Sequence, residues 1–376
     1  MIVSQYVFTR AEGWSPLPVS TIPMDFVIVF GGVDLLSDAE TFPLLRERFP
    51  VVPLILVSTA GEIAQGRVLD ASLVCTAIKM ERTEFRIISE AADEHPDSLV
   101  CGQQLAKQLR GEGLCHVLVL SEGTYTNGDQ LIRGLRSVLD DEVLITGGLA
   151  GDAGRFSRTV VGYNEPARSA RLVAIGFYGS KLRVAHGTQG GWDPFGPVRE
   201  VTRSSGNVLY ELDGRNALEL YKMYLGDRAP ELPGAALLFP LCIFSEGNSV
   251  VRTILGIDES TGSMTFAGDI PSGARAQFMM ANFDRLIDGA SAAATDSFHR
   301  LNELTPDLVI MVSCVGRKIV LGPRTEEEVD SVLSVFGPDP TYAGFYSNGE
   351  ISPLQDGVGC SLHNQTMTIT TYLEVP

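Results

Sequence analysis

Two stretches of this chain end an apolar run on a glycine followed by a carboxylate: "VSTAGEI" at residues 57–63 and "YSNGEIS" at 346–352. Glycine lets the backbone turn where a side chain would be disfavoured, so the next residue can be aimed off the strand end. Glu62 and Glu350 are therefore candidates to hold the ammonium group of a small ligand. Two weaker echoes, "LITGGLAGDA" (144–153) and "TFAGDI" (265–270), repeat the Ala-Gly-acid step. The four loops together would suit an uncharacterised hydrolase or metal-dependent enzyme only if their acids converged within metal-binding distance. The competing reading is a structural turn whose acid accepts hydrogen bonds from nearby backbone N–H groups.

Arg317, in "SCVGRK", closes a glycine turn a few residues after an apolar run. Its planar guanidinium suits a carboxylate, either a ligand's or that of Glu350. An amino-acid ligand would place its carboxylate on Arg317 and its ammonium on Glu350 or Glu62. The five histidines, at 95, 116, 186, 299 and 363, form no His-x-x-x-His pair, and Cys115–His116 cannot build a zinc site alone. Cys-x-x-Cys-His is absent, which excludes covalent c-type haem. A non-covalent haem needs only one axial His or Cys in an apolar pocket. His186, ending the strand "KLRVAH", and Cys314 are open to that role, although Cys314 equally suits a small core position. No Gly-x-Ser-x-Gly elbow and no phosphate-binding glycine signature occurs.

The 376 residues, 44% of them hydrophobic, suffice for two domains or one large composite one. With 29 basic and 46 acidic residues the formal charge is −17, a field that repels nucleic acid and anionic lipid. The start of the chain lacks a basic segment followed by an apolar run, and "GAALLFPLCIF" is too short to span a bilayer. Six scattered cysteines suit a reduced setting. The expectation is a cytoplasmic protein without membrane insertion or a nucleic-acid partner.

The elements that must position these residues are read from periodicity. Residues 1–23 read as irregular. Strand "FVIVF", helix 38–48, strand "LILVS" and strand "SLVCTAIKM" follow. Helices are predicted over 98–110 and 129–139, the second capped by Asn127, and strands dominate from 159 to 212. A long amphipathic helix over 281–304 leads to strand "LVIMVS", helix 325–336, strand "AGFYS" and the last strand "TMTITTYLEV". Residues 27–79 and 308–370 thus carry the same order of strand, glycine turn, helix, strand, Gly-acid turn and strand. The expected fold is α/β, with two related layered halves, mixed sheets and this internal strand–helix–strand repeat.

Taken together, "STAGEI", "GGLAGD", "AIGFYG", "NVLYELDGRNALELY", "SCVGRK", "GFYSNGEISP" and "LHNQTMT" resemble the FIST family. The resemblance implies a FIST N-terminal domain over 25–205 and a FIST C-terminal domain over 206–376. It further implies a bacterial, non-catalytic sensory module for a small ligand that signals through a separate partner such as a sensor histidine kinase. The ligand would be an amino-acid-like metabolite, or nitric oxide met by haem. In that frame His363, within "LHNQTMT", leads as axial ligand of a non-covalent haem b, ahead of His186 and Cys314. Its neighbour Asn364 joins Glu62, Arg317 and Glu350 in the ligand-binding set.

Overall fold

The structure, a computed structural model, describes residues 1–15, 22–93, 97–232, 234–245, 248–354 and 359–376; His95 lies outside them. The first unit holds β1 (Ile2–Thr9), β2 (Phe26–Gly32), α1 (Thr41–Arg48), β3 (Leu54–Thr59), β4 (Glu62–Ala64) and β5 (Ser72–Lys79). The second holds β6 (Glu84–Ala91), α2 (Ser98–Leu109), β7 (Leu114–Ser121), α3 (Gly128–Arg136), β8 (Leu144–Leu149), β9 (Val161–Tyr163) and β10 (Arg171–Tyr178). The third opens with β11 (Leu182–Gln189) and resumes with α4 (Phe283–Arg300), β12 (Leu308–Cys314), α5 (Val315–Leu321) and α6 (Thr325–Phe336). It closes with β13 (Thr341–Ser347), β14 (Gly349–Ser352) and β15 (Met367–Glu374). Between β11 and α4 is inserted a lobe, residues 193–280, with an eight-stranded sheet and its own core around Leu220, Tyr221, Phe266 and Phe278.

Each unit lays down its strands in one pattern. β2 and β3 run parallel, with β5 antiparallel to β2 on the other side, and β7, β8 and β10 repeat this, as do β12, β13 and β15. The outer strands β1, β6 and β11 pair antiparallel with β5, β10 and β15. The sheets are mixed and the fold is α/β, as the sequence predicts. The two segments expected to repeat, 27–79 and 308–370, share strand order and direction, and a third copy lies between them.

The short strands are exchanged cyclically. β4 of the first unit pairs with β13 of the third, β14 of the third with β8 of the second, and β9 of the second with β3 of the first. Register makes the equivalence residue by residue. Phe30, Leu120 and Val312 sit opposite Val57, Gly148 and Phe345. Those three sit opposite Val161, Glu350 and Glu62 respectively. Three residues before the position opposite the central strand, Ala71, Ala170 and Gln365 all take a left-handed backbone, with φ of 52°, 56° and 60°.

Alternation along the central strands explains the packing. Phe26, Ile28 and Phe30 of β2 meet Leu118 and Leu120 of β7 and Leu308, Ile310 and Val312 of β12 in one core shared by all three sheets. The intervening residues face outward onto helices: Val27 and Val29 onto Leu45 of α1, Val117 and Val119 onto α2 and α3, Val309 and Met311 onto α4 and α6. Strands covered on both faces become continuous apolar runs.

Two expectations are corrected. Residues 2–9 form an edge strand rather than irregular chain, because their half-buried "IVSQYVFT" pairs along the whole of β5. "CVGRK" opens helix α5 rather than a turn, so Arg317 stands on a helix with its side chain fully buried.

Candidate functional site

The two repeated glutamates are structural clasps. Glu62 accepts hydrogen bonds from the hydroxyl of Thr59, and from the backbone N and hydroxyl of Ser72 at 3.1 and 2.6 Å. Glu350 accepts from the hydroxyl of Ser347 at 2.6 Å, and from the backbone N and hydroxyl of Thr366 at 3.3 and 3.0 Å. Both are fully buried, and burial, opposed by these donors, pushes Glu62 up to about 7 and Glu350 up to about 8. In the second unit the equivalent positions hold Ala150, Val161 and Arg171, and the clasp is absent. Asp152, the acid of the sequence echo, instead caps its own loop through the backbone N of Phe156, Ser157 and Arg158. Asp269 of "TFAGDI" belongs to the inserted lobe and pairs with Arg133 at 2.6 Å. No group of three His, Cys, Asp or Glu able to hold a metal occurs among the described residues.

Arg317 is likewise committed. It bonds Glu328 through Nε at 3.0 Å and Nη2 at 2.9 Å, Gly190 O at 2.5 Å and Leu286 O at 2.7 Å. Its carboxylate partner is Glu328, which also accepts from Ser313 and Tyr346. Arg317 and Glu350 do not pair, and both side chains are fully buried.

The haem candidates are tested by their bonding. His363 Nε2 lies 3.1 Å from Ser352 O, and burial lowers its pKa to about 4. His186 lies against the Arg300 guanidinium at 2.7 Å, and burial with that cation lowers its pKa to about 3. Burial pushes the Cys314 thiol far up, while a coordinating sulfur must be a thiolate. Asn364 is fully buried, its amide donating to His363 O at 3.0 Å. Among the described residues, His363, His186 and Cys314 are buried in these contacts and line none of the clefts described, so this arrangement does not fit a haem.

An opening lies instead where the turns meet. At the junction of the first and third units, Lys318 Nζ donates to Ala60 O at 2.9 Å, lies 5.3 Å from the centroid of the Tyr346 ring and pairs with Asp70. At the junction of the second and first, Ser58 Oγ donates to Gly151 O at 2.8 Å. A Cβ on Gly151 would stand 2.6 Å from Ala60 N and 2.8 Å from Tyr346 O, so the three turns are in contact. By register the third junction is formed by Thr126, Leu149 and Asn348, the counterparts of Lys318, Tyr346 and Ala60. All three line a cleft of about 360 Å³.

One wall of that cleft is the loop 123–128 after β7. Its shape is set by buried Glu122, which accepts from the backbone N of Thr124 and Tyr125 at 3.0 Å and from the hydroxyl of Thr126 at 2.7 Å. Asn127 then caps α3 by accepting from Gln130 N at 3.0 Å. The opposite wall is the inserted lobe, through Asn207, Leu255, Phe266, Ala267 and Gly268. The lobe is fastened beside the cleft by Arg252, which pairs with Asp129 at 3.1 Å and donates to Leu362 O at 2.7 Å. In the sequence this loop, "EGTYTNG" at 122–128, is marked only by its Thr, Asn and Gly content after a buried strand.

Three repeated strand–helix–strand units, an inserted β lobe and a cleft between the two define a repeat-built α/β module. The chain belongs to the FIST family: the FIST N domain matches residues 25–215 and the FIST C domain residues 217–353. FIST domains are sensory ligand-binding domains of signalling proteins. The boundary between the two matches falls within the inserted lobe. An uncharacterised protein of Mycobacterium tuberculosis is 26% identical over 225 residues, covering 55% of this chain and 56% of that protein. An uncharacterised protein of Methanocaldococcus jannaschii is 24% identical over 208 residues, covering 51% of this chain and 39% of that protein. The chain thus spans about half the length, or less, of these curated relatives. Among the described residues no helix is long and apolar enough to cross a membrane.

Proposed function

We propose that this chain senses a small molecule in the cleft lined by Thr126, Leu149 and Asn348, and passes the event to a separate partner such as a sensor histidine kinase. The observation that carries the reading is the difference among three equivalent junctions. Two have their turn carbonyls engaged by the chain's own side chains, Lys318 and Ser58. The third is a cavity between body and lobe. It lies at the carboxyl ends of the parallel strands β7 and β8, the edge at which open α/β sheets collect ligands. A molecule bound there touches two units and the lobe, so it favours whichever lobe arrangement contacts it best, and that preference is the signal.

The test fills the cleft. Ala267→Trp puts an indole into it from the lobe side. Wild-type protein should gain thermal stability from members of a metabolite library, and the variant should lose that response while its own melting temperature stays within a few degrees. Equal stabilisation of both proteins would place the ligand elsewhere.

A further inference from the structure

The junction occupied by Lys318 shows what this fold supplies when a cation is seated there: the carboxylate of Asp70 beside it, and the ring of Tyr346 beneath. Register gives the counterparts of those groups at the open junction. Asp70 stands two residues before Ser72, as Asn364 stands before Thr366, so the carboxylate is replaced by an amide. Tyr346 is replaced by Leu149. Among the described residues no Asp, Glu, Lys, Arg or His lines the cleft. The charges of the neighbouring cleft pair with one another, Arg252 with Asp129 and Arg133 with Asp269. Glu122 has its oxygens filled by the loop it shapes. A charged ligand would leave water without a counter-charge, which is strongly unfavourable.

The same walls offer neutral chemistry. Asn348 Oδ1 is buried with no hydrogen-bond partner among the described residues, and a buried acceptor left unpaired is costly. Thr124, Thr126, Asn127 and Asn207 also line the cleft with hydroxyls and amides, and the exposed rings of Tyr125 and Phe156 line it as well. Resting on the cleft assignment above, we infer that the ligand is an uncharged ring compound with one apolar face and several N–H or O–H donors. One donor goes to Asn348 Oδ1, on the turn whose counterpart Ala60 accepts from Lys318 Nζ through its backbone O. Free monosaccharides and nucleosides both present this chemistry.

The experiment is a thermal-shift and calorimetric panel on wild type, Ala267→Trp and Asn348→Leu. Its arms are hexoses and pentoses, nucleosides, the matching nucleotides and sugar phosphates, and free amino acids. The expected result is a rise of about 3–5 °C at saturation from at least one uncharged arm. The phosphorylated counterpart should give none, Ala267→Trp should abolish the shift, and Asn348→Leu, which removes the acceptor, should weaken binding roughly tenfold. Which uncharged arm responds distinguishes sugar from nucleoside. Stabilisation by amino acids or nucleotides that Ala267→Trp abolishes would overturn the ligand class and leave the cleft standing. Stabilisation by an uncharged compound that survives in Ala267→Trp would overturn the cleft itself. Absence of any shift from the uncharged arms would overturn the class.

Discussion

Glu62 and Glu350 are counterparts: each lies on an exchanged strand, opposite the strand it joins, and each is held by one hydroxyl from its own turn and one from the start of the unit's last strand. The pair therefore locks two of the three crossovers that tie the units into one body. It is not a shared ligand cleft, and its consequence is for stability.

That consequence depends on pH. An ordinary glutamate titrates near 4.5, whereas burial raises Glu62 to about 7 and Glu350 to about 8. Between those values the folded chain keeps a proton that the unfolded chain has lost. For these groups stability is greatest below the unfolded value and falls as pH rises, by about 1.4 kcal/mol per pH unit for each, until the folded value is passed. Glu62→Gln/Glu350→Gln mimics the protonated pair and should flatten urea-unfolding stability between pH 5 and 8. At pH 8.5, above both folded values, it should exceed wild type by several kcal/mol. An unchanged slope would show that these carboxyls are ionised throughout.

Arg317 is expected to be a folding residue. Arg317→Ala strands buried Glu328 and two backbone carbonyls, at about 3–5 kcal/mol. The ligand-free variant should melt well below wild type. A variant that melts with wild type but loses ligand response would return Arg317 to the binding site.

The legible parts of the fold were strands covered on both faces, such as "FVIVF" and "LVIMVS", whose apolar runs need no tertiary knowledge. The repeated Glu turns exposed units one and three. The second unit was hidden because loop 153–160 separates its turn from β9, and because Ala150, Val161 and Arg171 replace the clasp. "GGLAGD" gave a true echo in the wrong register, and "TFAGDI" gave a false one. β1 escaped because an edge strand carrying Ser4 and Gln5 lacks a continuous apolar run. The partner of Arg317 escaped for another reason. Glu328 reaches it from the next helix, a contact set by packing rather than spacing. The cleft is a property of three turns brought together, so Asn348 could be seen in the sequence only as a turn residue.

Haemin titration tests the bonding of His363. The spectrum should remain that of free haemin, and His363→Ala should change melting temperature rather than absorption. A stoichiometric Soret band removed by His363→Ala would contradict the site geometry.

The most direct measurement is hydrogen–deuterium exchange of the whole chain with and without the uncharged compound that gives the largest thermal shift. Slowed exchange should concentrate in three segments distant in sequence, 123–128, 266–268 and the turn at Asn348, with the turn at Ala60 unchanged because Lys318 already engages its carbonyl. Protection centred instead on the Arg317–Glu328 helices or on His363, with 123–128 unaffected, would contradict the account.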